Sequence, residues 1–370
     1  MKRKSSRAIF KIGYLYLRRV FLIYTMSLFL SKKEVSFSMR NIKKILIIRI
    51  DGIGDLVLST PALRAIREEF PQANITLVLN SNAQDLFKGI PWIDRIIVYR
   101  NLIQMAKILR QENFDLAIDL LMDYLLKSAF LVFLSSARYK LGYNIQGRGV
   151  FFNIRIEPTW AEKHIIERTL DVLRAIGVDT ENRIPKILIS DEQKNFTEEF
   201  LNQQKISKDD LLIGIHPGGR YLTQRWLLER FAQVADRIIA EYRIKVIIIG
   251  APDEEKLICK VASLIKKQVV EAIGVSLGRL SALIARCNLF VCNNSGLLHI
   301  ATAVSTPTVS TMGPTIPYLW WPQGENHIVV RKDLPCSPCN SGLCKSRQCM
   351  ELITVEDMME AVKIQLKRII

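Results

Sequence analysis

The chain has 370 residues, 49% of them hydrophobic and 24% charged, enough to bury a large core and too apolar for a disordered protein. Its 18 glycines and 13 prolines exclude a fibrous or low-complexity chain, and no apolar run approaches the roughly 20 residues of a membrane span. The net charge is +16, from 52 Lys and Arg against 36 Asp and Glu, and it is unevenly placed.

Residues 1–40 carry ten bases (Lys2, Arg3, Lys4, Arg7, Lys11, Arg18, Arg19, Lys32, Lys33 and Arg40) and one acid, Glu34. That leader is +9, which leaves +7 for the other 330 residues. Phe10, Tyr14, Tyr16, Leu17, Phe21, Leu22, Ile23 and Phe29 are interleaved with the bases. This mixture suits an anionic membrane surface, where each base contributes about 1 kcal/mol. The plainer readings are a targeting peptide or a start at Met39, directly before the first strand. A secretory signal fits poorly, because no small-residue cleavage site follows the apolar run Phe21 to Leu30. No nucleic-acid motif accompanies the basic charge, so no nucleic-acid partner is expected.

From residue 43 the pattern alternates between short apolar runs and helical stretches. Lys44 to Ile50 reads as a parallel strand buried on both faces, and Pro61 to Phe70 as a helix with Leu63, Ile66 and Phe70 on one side. Ile75–Leu79, Arg95–Tyr99 and Leu116–Leu120 are further strands, giving a doubly wound α/β unit. The plan restarts with the strand Leu211–Ile215, the helix Leu227–Tyr242, and the strands Lys245–Gly250 and Leu289–Cys292. The polar stretch Gln203–Asp210 reads as the linker. The expected organisation is a basic leader over 1–40, Rossmann-like units over 41–205 and 206–353, and a closing helix over 354–370. That helix carries Thr354 as N-cap, with Asp357 three residues on.

Ligands of open α/β sheets bind beyond the carboxyl ends of the strands, so three loops matter. In Asp51-Gly-Ile-Gly-Asp55, Val57 replaces the third glycine of a dinucleotide fingerprint, which disfavours an NAD site. Asp55 enters the following helix, either as an N-cap or as a base that takes a proton from a substrate hydroxyl. In His216-Pro-Gly-Gly-Arg-Tyr-Leu-Thr-Gln-Arg-Trp226, Gly218 and Gly219 let backbone amides approach an anion, while Arg220 and Arg225 can pair with phosphate. A flexible turn with solvated arginines is the alternative. In Asn293-Asn-Ser-Gly-Leu-Leu-His299, Ser295 and Gly296 open a helix whose free amides and dipole favour an anion. His299 lies one turn further on, as a ligand or as a packing residue. Two anion-friendly loops opposite an acid suggest a nucleotide-diphosphate donor facing a hydroxyl acceptor.

These loops resemble glycosyltransferase family 9, the ADP-heptose:lipopolysaccharide heptosyltransferases and their relatives. The resemblance rests on Ile50 to Leu63, on His216-Pro-Gly-Gly219 with Arg225-Trp226, and on Asn294-Ser-Gly-Leu-Leu-His-Ile-Ala301 followed by Pro307-Thr308 and Gly313-Pro-Thr315. It spans about residues 42–362 and implies a GT-B fold, an inverting mechanism and no catalytic metal. It implies a nucleotide-sugar donor, most simply ADP-heptose, and a lipid-linked saccharide acceptor at the inner face of the cytoplasmic membrane. By position, Asp55 matches the general base. Gly54, Gly218, Gly219, Arg220, Gln224, Arg225, Asn294, Ser295, Gly296 and His299 fall at the donor side, and Asp253 is a candidate for the ribose hydroxyls. The chain departs from the pattern at Gln224, where relatives often carry Lys, and at Asn294, where many carry Asp. Transfer of a different sugar, or a non-catalytic membrane-docked nucleotide- or carbohydrate-binding protein, are the competing readings. Asp55 argues against the latter, since a binding module has no need of a base.

Seven cysteines remain. Cys259, Cys287 and Cys292 sit in apolar surroundings and are expected to be buried small hydrophobes in a reducing compartment. Cys336, Cys339, Cys344 and Cys349 have C-x2-C-x4-C-x4-C spacing and could enclose a structural zinc; two disulfides or four thiols fit equally.

Overall fold

The computed structural model describes residues 14, 15, 17–22, 24 and 36–369. The apolar runs form strands with helices on both faces, which is why their side chains are buried alike in both directions. In the first half, β1 (Lys44–Ile48), β2 (Asn74–Leu79), β3 (Arg95–Val98), β4 (Leu116–Asp119), β5 (Tyr139–Tyr143) and β6 (Ile154–Ile156) form one parallel sheet in the order β3-β2-β1-β4-β5-β6. Its helices are α1 (Ile53–Leu58), α2 (Thr60–Glu69), α3 (Gln84–Phe87), α4 (Leu102–Gln111), α5 (Leu126–Leu134), α6 (Ile165–Arg174) and α7 (Asp191–Gln203).

The second half repeats the plan with β7 (Leu212–His216), β8 (Lys245–Ile249), β9 (Val270–Ala272), β10 (Leu289–Asn293), β11 (Thr308–Thr311) and β12 (His327–Val330). These are parallel in the order β12-β11-β10-β7-β8-β9, the same winding as the first sheet. Around them lie α8 (Leu228–Tyr242), α9 (Glu255–Leu264), α10 (Leu277–Arg286), α11 (Gly296–Ala303), α12 (Pro317–Trp320), α13 (Gln348–Glu351) and α14 (Val355–Ile369). The crevice of each sheet opens where the winding reverses, at β1/β4 and β7/β10. Two Rossmann-like sheets facing each other are the expected GT-B plan.

Strands β5, β6, β9, β11 and β12 carry no clean sequence signal. They are short or mixed in polarity, as in Tyr-Lys-Leu-Gly-Tyr and Thr-Val-Ser-Thr. Helix α7, placed with the N-terminal unit from sequence, packs on α10 of the second sheet. There the Asp85 carboxylate accepts the Gly278 N–H at 2.9 Å, and the Gln193 amide donates to the Asp85 carbonyl at 3.2 Å. The closing helix starts where expected, with Thr354 and Asp357 bonded reciprocally, and Met358, Val362 and Leu366 seal the second core.

The leader lies largely outside the described residues. Residues 14, 15, 17–22 and 24 are helical. Leu22 is buried with Phe151 and Phe152, and Arg18 donates to the Gln146 carbonyl at 3.0 Å, so this stretch is fastened to the first half.

Candidate active site

On the first half, the site begins at Arg49, the residue after β1, which is buried. Its Nη1 donates to the Leu120 carbonyl at 2.6 Å, and its Nε and Nη2 to the Asp55 carbonyl at 3.3 and 3.1 Å. Its charge also reaches the carboxylates of Asp51 at 3.3 Å and Asp55 at 3.7 Å. Asp55 is the third residue of α1, and the N-cap position belongs to Gly52, so Asp55 is not the N-cap, although its carboxylate reaches back to the Gly52 amide. Burial raises the Asp55 pKa, while Arg49, Arg220 and the backbone amides of Asp55 and Gly52 pull the other way. Asp51 is pushed up to about 7 by burial, against Arg49 and reinforced by the Asp55 charge. A carboxylate with a raised pKa is a better proton acceptor than an ordinary one.

Arg220 comes from the second half, so its influence on Asp55 crosses the cleft. The loop that carries it is pinned by Asn293, at the end of β10 and fully buried. The Asn293 amide nitrogen donates to the Pro217 and Gly218 carbonyls at 2.8 and 2.9 Å. Its oxygen accepts the Trp226 N–H at 2.9 Å and the Thr311 hydroxyl at 2.8 Å. One side chain thus ties both ends of the His216–Trp226 loop to the neighbouring strands. Arg225 is spent inside the loop, its Nε on the Gly219 carbonyl at 2.7 Å, and Gln224 donates to Thr315 at 3.2 Å. Of the two arginines offered as phosphate partners, Arg220 is the exposed one.

Gly218 and Gly219 are shaped by Glu254. A β-carbon at Gly218 would collide with the Glu254 carboxylate and the His216 ring, and the Gly219 N–H donates to Glu254 at 3.3 Å. Asp253, the candidate for the ribose hydroxyls, lies exposed, and the carboxylate that enters the Gly218–Gly219 loop is Glu254 next to it. Ser295 immediately precedes α11, and Asn294 donates to the Trp320 carbonyl at 3.3 Å.

Gly54 and Gly296 face each other across the interdomain contact, with a Gly296 β-carbon only 3.4 Å from the Gly54 nitrogen. His299 lies beneath them, buried beside Trp320, its Nδ1 without a partner. Burial holds it neutral, with a pKa lowered to about 3. Gly54 and His299 thus pack the joint between the halves, and the packing reading of His299 prevails over the donor ligand.

Sequence reasoning missed Arg49, Asn293 and Glu254. It also missed Arg148, a buried residue that pairs with Asp119 at the end of β4 and with Asp123 at 3.1 Å. This network occupies the switch point of the first sheet. An acid closing an apolar strand, as Asp119 does, was the available signal.

The four C-terminal cysteines are neighbours in space: after burial, Cys339, Cys336 and Cys344 each help to raise the Cys349 thiol pKa. Among the described residues, no three His, Cys, Asp or Glu side chains are placed to hold a metal ion. Cys336, Cys339 and Cys344 lie on exposed turns, while Cys349 is buried against Gly313. Cys259 is exposed rather than buried, whereas Cys287 and Cys292 are core residues as expected.

A profile of glycosyltransferase family 9 (heptosyltransferase) matches residues 102–350, a span that begins beyond Asp55. Lipooligosaccharide heptosyltransferase 2 of Campylobacter jejuni is 28% identical over 325 residues, covering 85% of this chain and 96% of its own. Two solved structures share the fold. A family 9 glycosyltransferase from Veillonella parvula has a TM-score of 0.78 at 24% identity, over 91% of this chain and 99% of the other. The ADP-heptose lipopolysaccharide heptosyltransferase II of Escherichia coli has a TM-score of 0.74 at 23% identity, over 88% and 99%. With the family match spanning about two thirds of its length, the chain belongs to glycosyltransferase family 9.

Proposed function

We propose that this enzyme transfers a heptose from ADP-heptose to a lipopolysaccharide-core-type acceptor. The observation that carries the reading is that the charge of Arg220, on the glycine loop of the second half, reaches Asp55 of the first half across the cleft. The acceptor oxygen attacks the anomeric carbon while Asp55 takes its proton. The bond from that carbon to the diphosphate breaks on the opposite face, and ADP leaves toward Arg220 and the start of α11. The names of the curated relatives favour heptose and a lipopolysaccharide core over other sugars and acceptors.

An anionic membrane surface is the partner we assign to the leader, and the inner face of the cytoplasmic membrane its location. Among the described residues no helix is long and apolar enough to cross a membrane. Tyr14 and Leu17 on the leader helix are 64% and 68% exposed, while Leu22 is buried against the body. That arrangement suits lying on a bilayer that carries the acceptor.

The test incubates the purified chain with ADP-heptose and a heptose-deficient core oligosaccharide, reading ADP release and acceptor mass. Expected is one added heptosyl residue and one ADP per transfer. Transfer from another nucleotide sugar, with none from ADP-heptose, would replace the donor; no transfer from any would favour the binding-protein reading.

A further inference from the structure

The rim of the first half carries exposed apolar and basic side chains that the transfer step above leaves unused. The strands of the first sheet are all parallel, so the loops after β1, β3, β4 and β5 open at one end. The loop after β1 leads to Asp55. The loop after β3 ends at Asn101, whose side chain caps α4 by accepting the Gln104 N–H at 2.9 Å. That cap fixes Leu102 and Ile103 in the first turn, where both are exposed, Ile103 by 85%. The loop after β4 ends at Leu125, 52% exposed at the start of α5. The loop after β5 receives the leader helix, through the Gln146 carbonyl and the close approach of Leu22 to Gly147.

The three segments share one core. Leu22 of the leader, Met105 and Leu109 of α4, and Leu131 and Val132 of α5 are buried in the same cluster. Their inward faces meet there, so their outward faces lie side by side. The Lys127 ammonium of α5 sits 4.8 Å over the Tyr99 ring, just ahead of α4. Bases frame the apolar residues. Residues 99–110 hold three exposed bases, Arg100, Lys107 and Arg110, and no acid. Asp123 is the single acid in the loop after β4, and Arg148 pairs with it.

We propose that this rim is a docking surface for an anionic phospholipid bilayer, with Leu102, Ile103 and Leu125 inserted and Arg100 and Lys127 among the headgroups. This deepens the membrane reading above, which assigned the bilayer to the leader, and rests on it for the place of the acceptor.

An exposed aliphatic cluster rimmed by polar residues marks a protein or a membrane contact. Charge chooses between them. A second copy of this chain would bring bases against bases, whereas an anionic leaflet attracts each of them. Aliphatic tips that enter the boundary between headgroups and acyl chains leave the neighbouring charges at the surface. The rim also lies at the end of the sheet where the crevice beside Asp55 opens. An acceptor anchored in the same bilayer then has to extend only its saccharide into the cleft.

The test is cosedimentation of the full chain with phosphatidylglycerol or phosphatidylcholine vesicles, with no sugar nucleotide or acceptor present. Lipid binding is then read independently of which sugar is moved. The double variant Ile103→Asp, Leu125→Asp should bind phosphatidylglycerol vesicles about tenfold more weakly with the leader intact. Arg100→Gln should weaken binding about fivefold. The melting temperature and ADP affinity of both should stay at wild-type values. Should a variant misfold, hydrogen exchange on the wild-type chain decides: phosphatidylglycerol vesicles should slow exchange at residues 99–105 and 121–127. Wild-type binding by the double variant, equal binding to phosphatidylcholine, or unchanged exchange at both segments overturns the proposal. So does a wild-type dimer that the double variant dissolves without lipid, since the occupant is then a second copy. Failure of ADP-heptose as donor, with the lipid results as expected, counts against the heptose reading and leaves the docking surface standing.

Discussion

The Arg49 guanidinium lies 3.7 Å from the Asp55 carboxylate, yet the Asp55 pKa remains above the ordinary carboxylate range. The reason is that Arg49 is shared. It also faces Asp51 and spends three of its donors on backbone carbonyls, so its charge does not fully offset the burial of Asp55. Asp55 is held in place without being made a weak base. Asp55→Asn keeps the shape and removes the basicity. Turnover should fall about 10²–10⁴-fold, roughly 3–5 kcal/mol in the barrier, with ADP affinity close to wild type. Initial rates and calorimetric titration check this. Retained turnover with a lowered melting temperature would make Asp55 structural.

Asp51 should reveal itself through stability against pH. Its folded pKa of about 7 is above that of the unfolded chain, so the folded state holds the proton more tightly. The stabilisation is complete below the unfolded value near 4 and is lost as pH rises through about 7. Asp51→Asn should therefore raise the melting temperature at pH 8 more than at pH 5. Equal melting shifts at both pH values would contradict this reading.

Asn293→Ala strips four bonds from the donor loop at once. Each buried partner left unsatisfied costs about 1–3 kcal/mol. We expect a clear loss of thermal stability and at least a tenfold loss of ADP affinity, read by differential scanning calorimetry and titration. Loss of stability without loss of affinity would show that the loop does not hold the donor.

The leader has a separable signature. Deleting residues 1–38 should lower cosedimentation with phosphatidylglycerol vesicles, most of all at low salt, because the attraction is screened. A modest drop in melting temperature should accompany it, since Leu22 packs on Phe151 and Phe152. Undiminished vesicle binding by the shortened chain would remove the membrane role.

The cysteines can be mapped by timed alkylation and mass spectrometry. Cys259, Cys336 and Cys339 are exposed and should react first. Cys287, with its pKa raised to about 12 by burial, should wait for unfolding, as should the buried Cys292 and Cys349. A chelator that speeds Cys336 and Cys339 would reinstate a bound metal.

The two α/β units, the loops at their switch points and the capping box of the last helix were legible in the sequence, because each is a local pattern. Apolar runs record burial on both faces, glycines after strands record close approach, and Thr354 reaches Asp357 within one turn. The motif at Asp55 could be recognised for the same reason. What surrounds it could not. His216 meets Glu254 from 38 positions away, and Asn293 meets Gly218 from 75, because the sheet order sets β7 between β8 and β10. His299, one turn along a helix that looks open to the cleft, is sealed because α1 of the other half packs over it. Secondary structure depends on neighbours in sequence. The protonation of a carboxylate and the burial of an imidazole depend on groups that only the folded chain brings together.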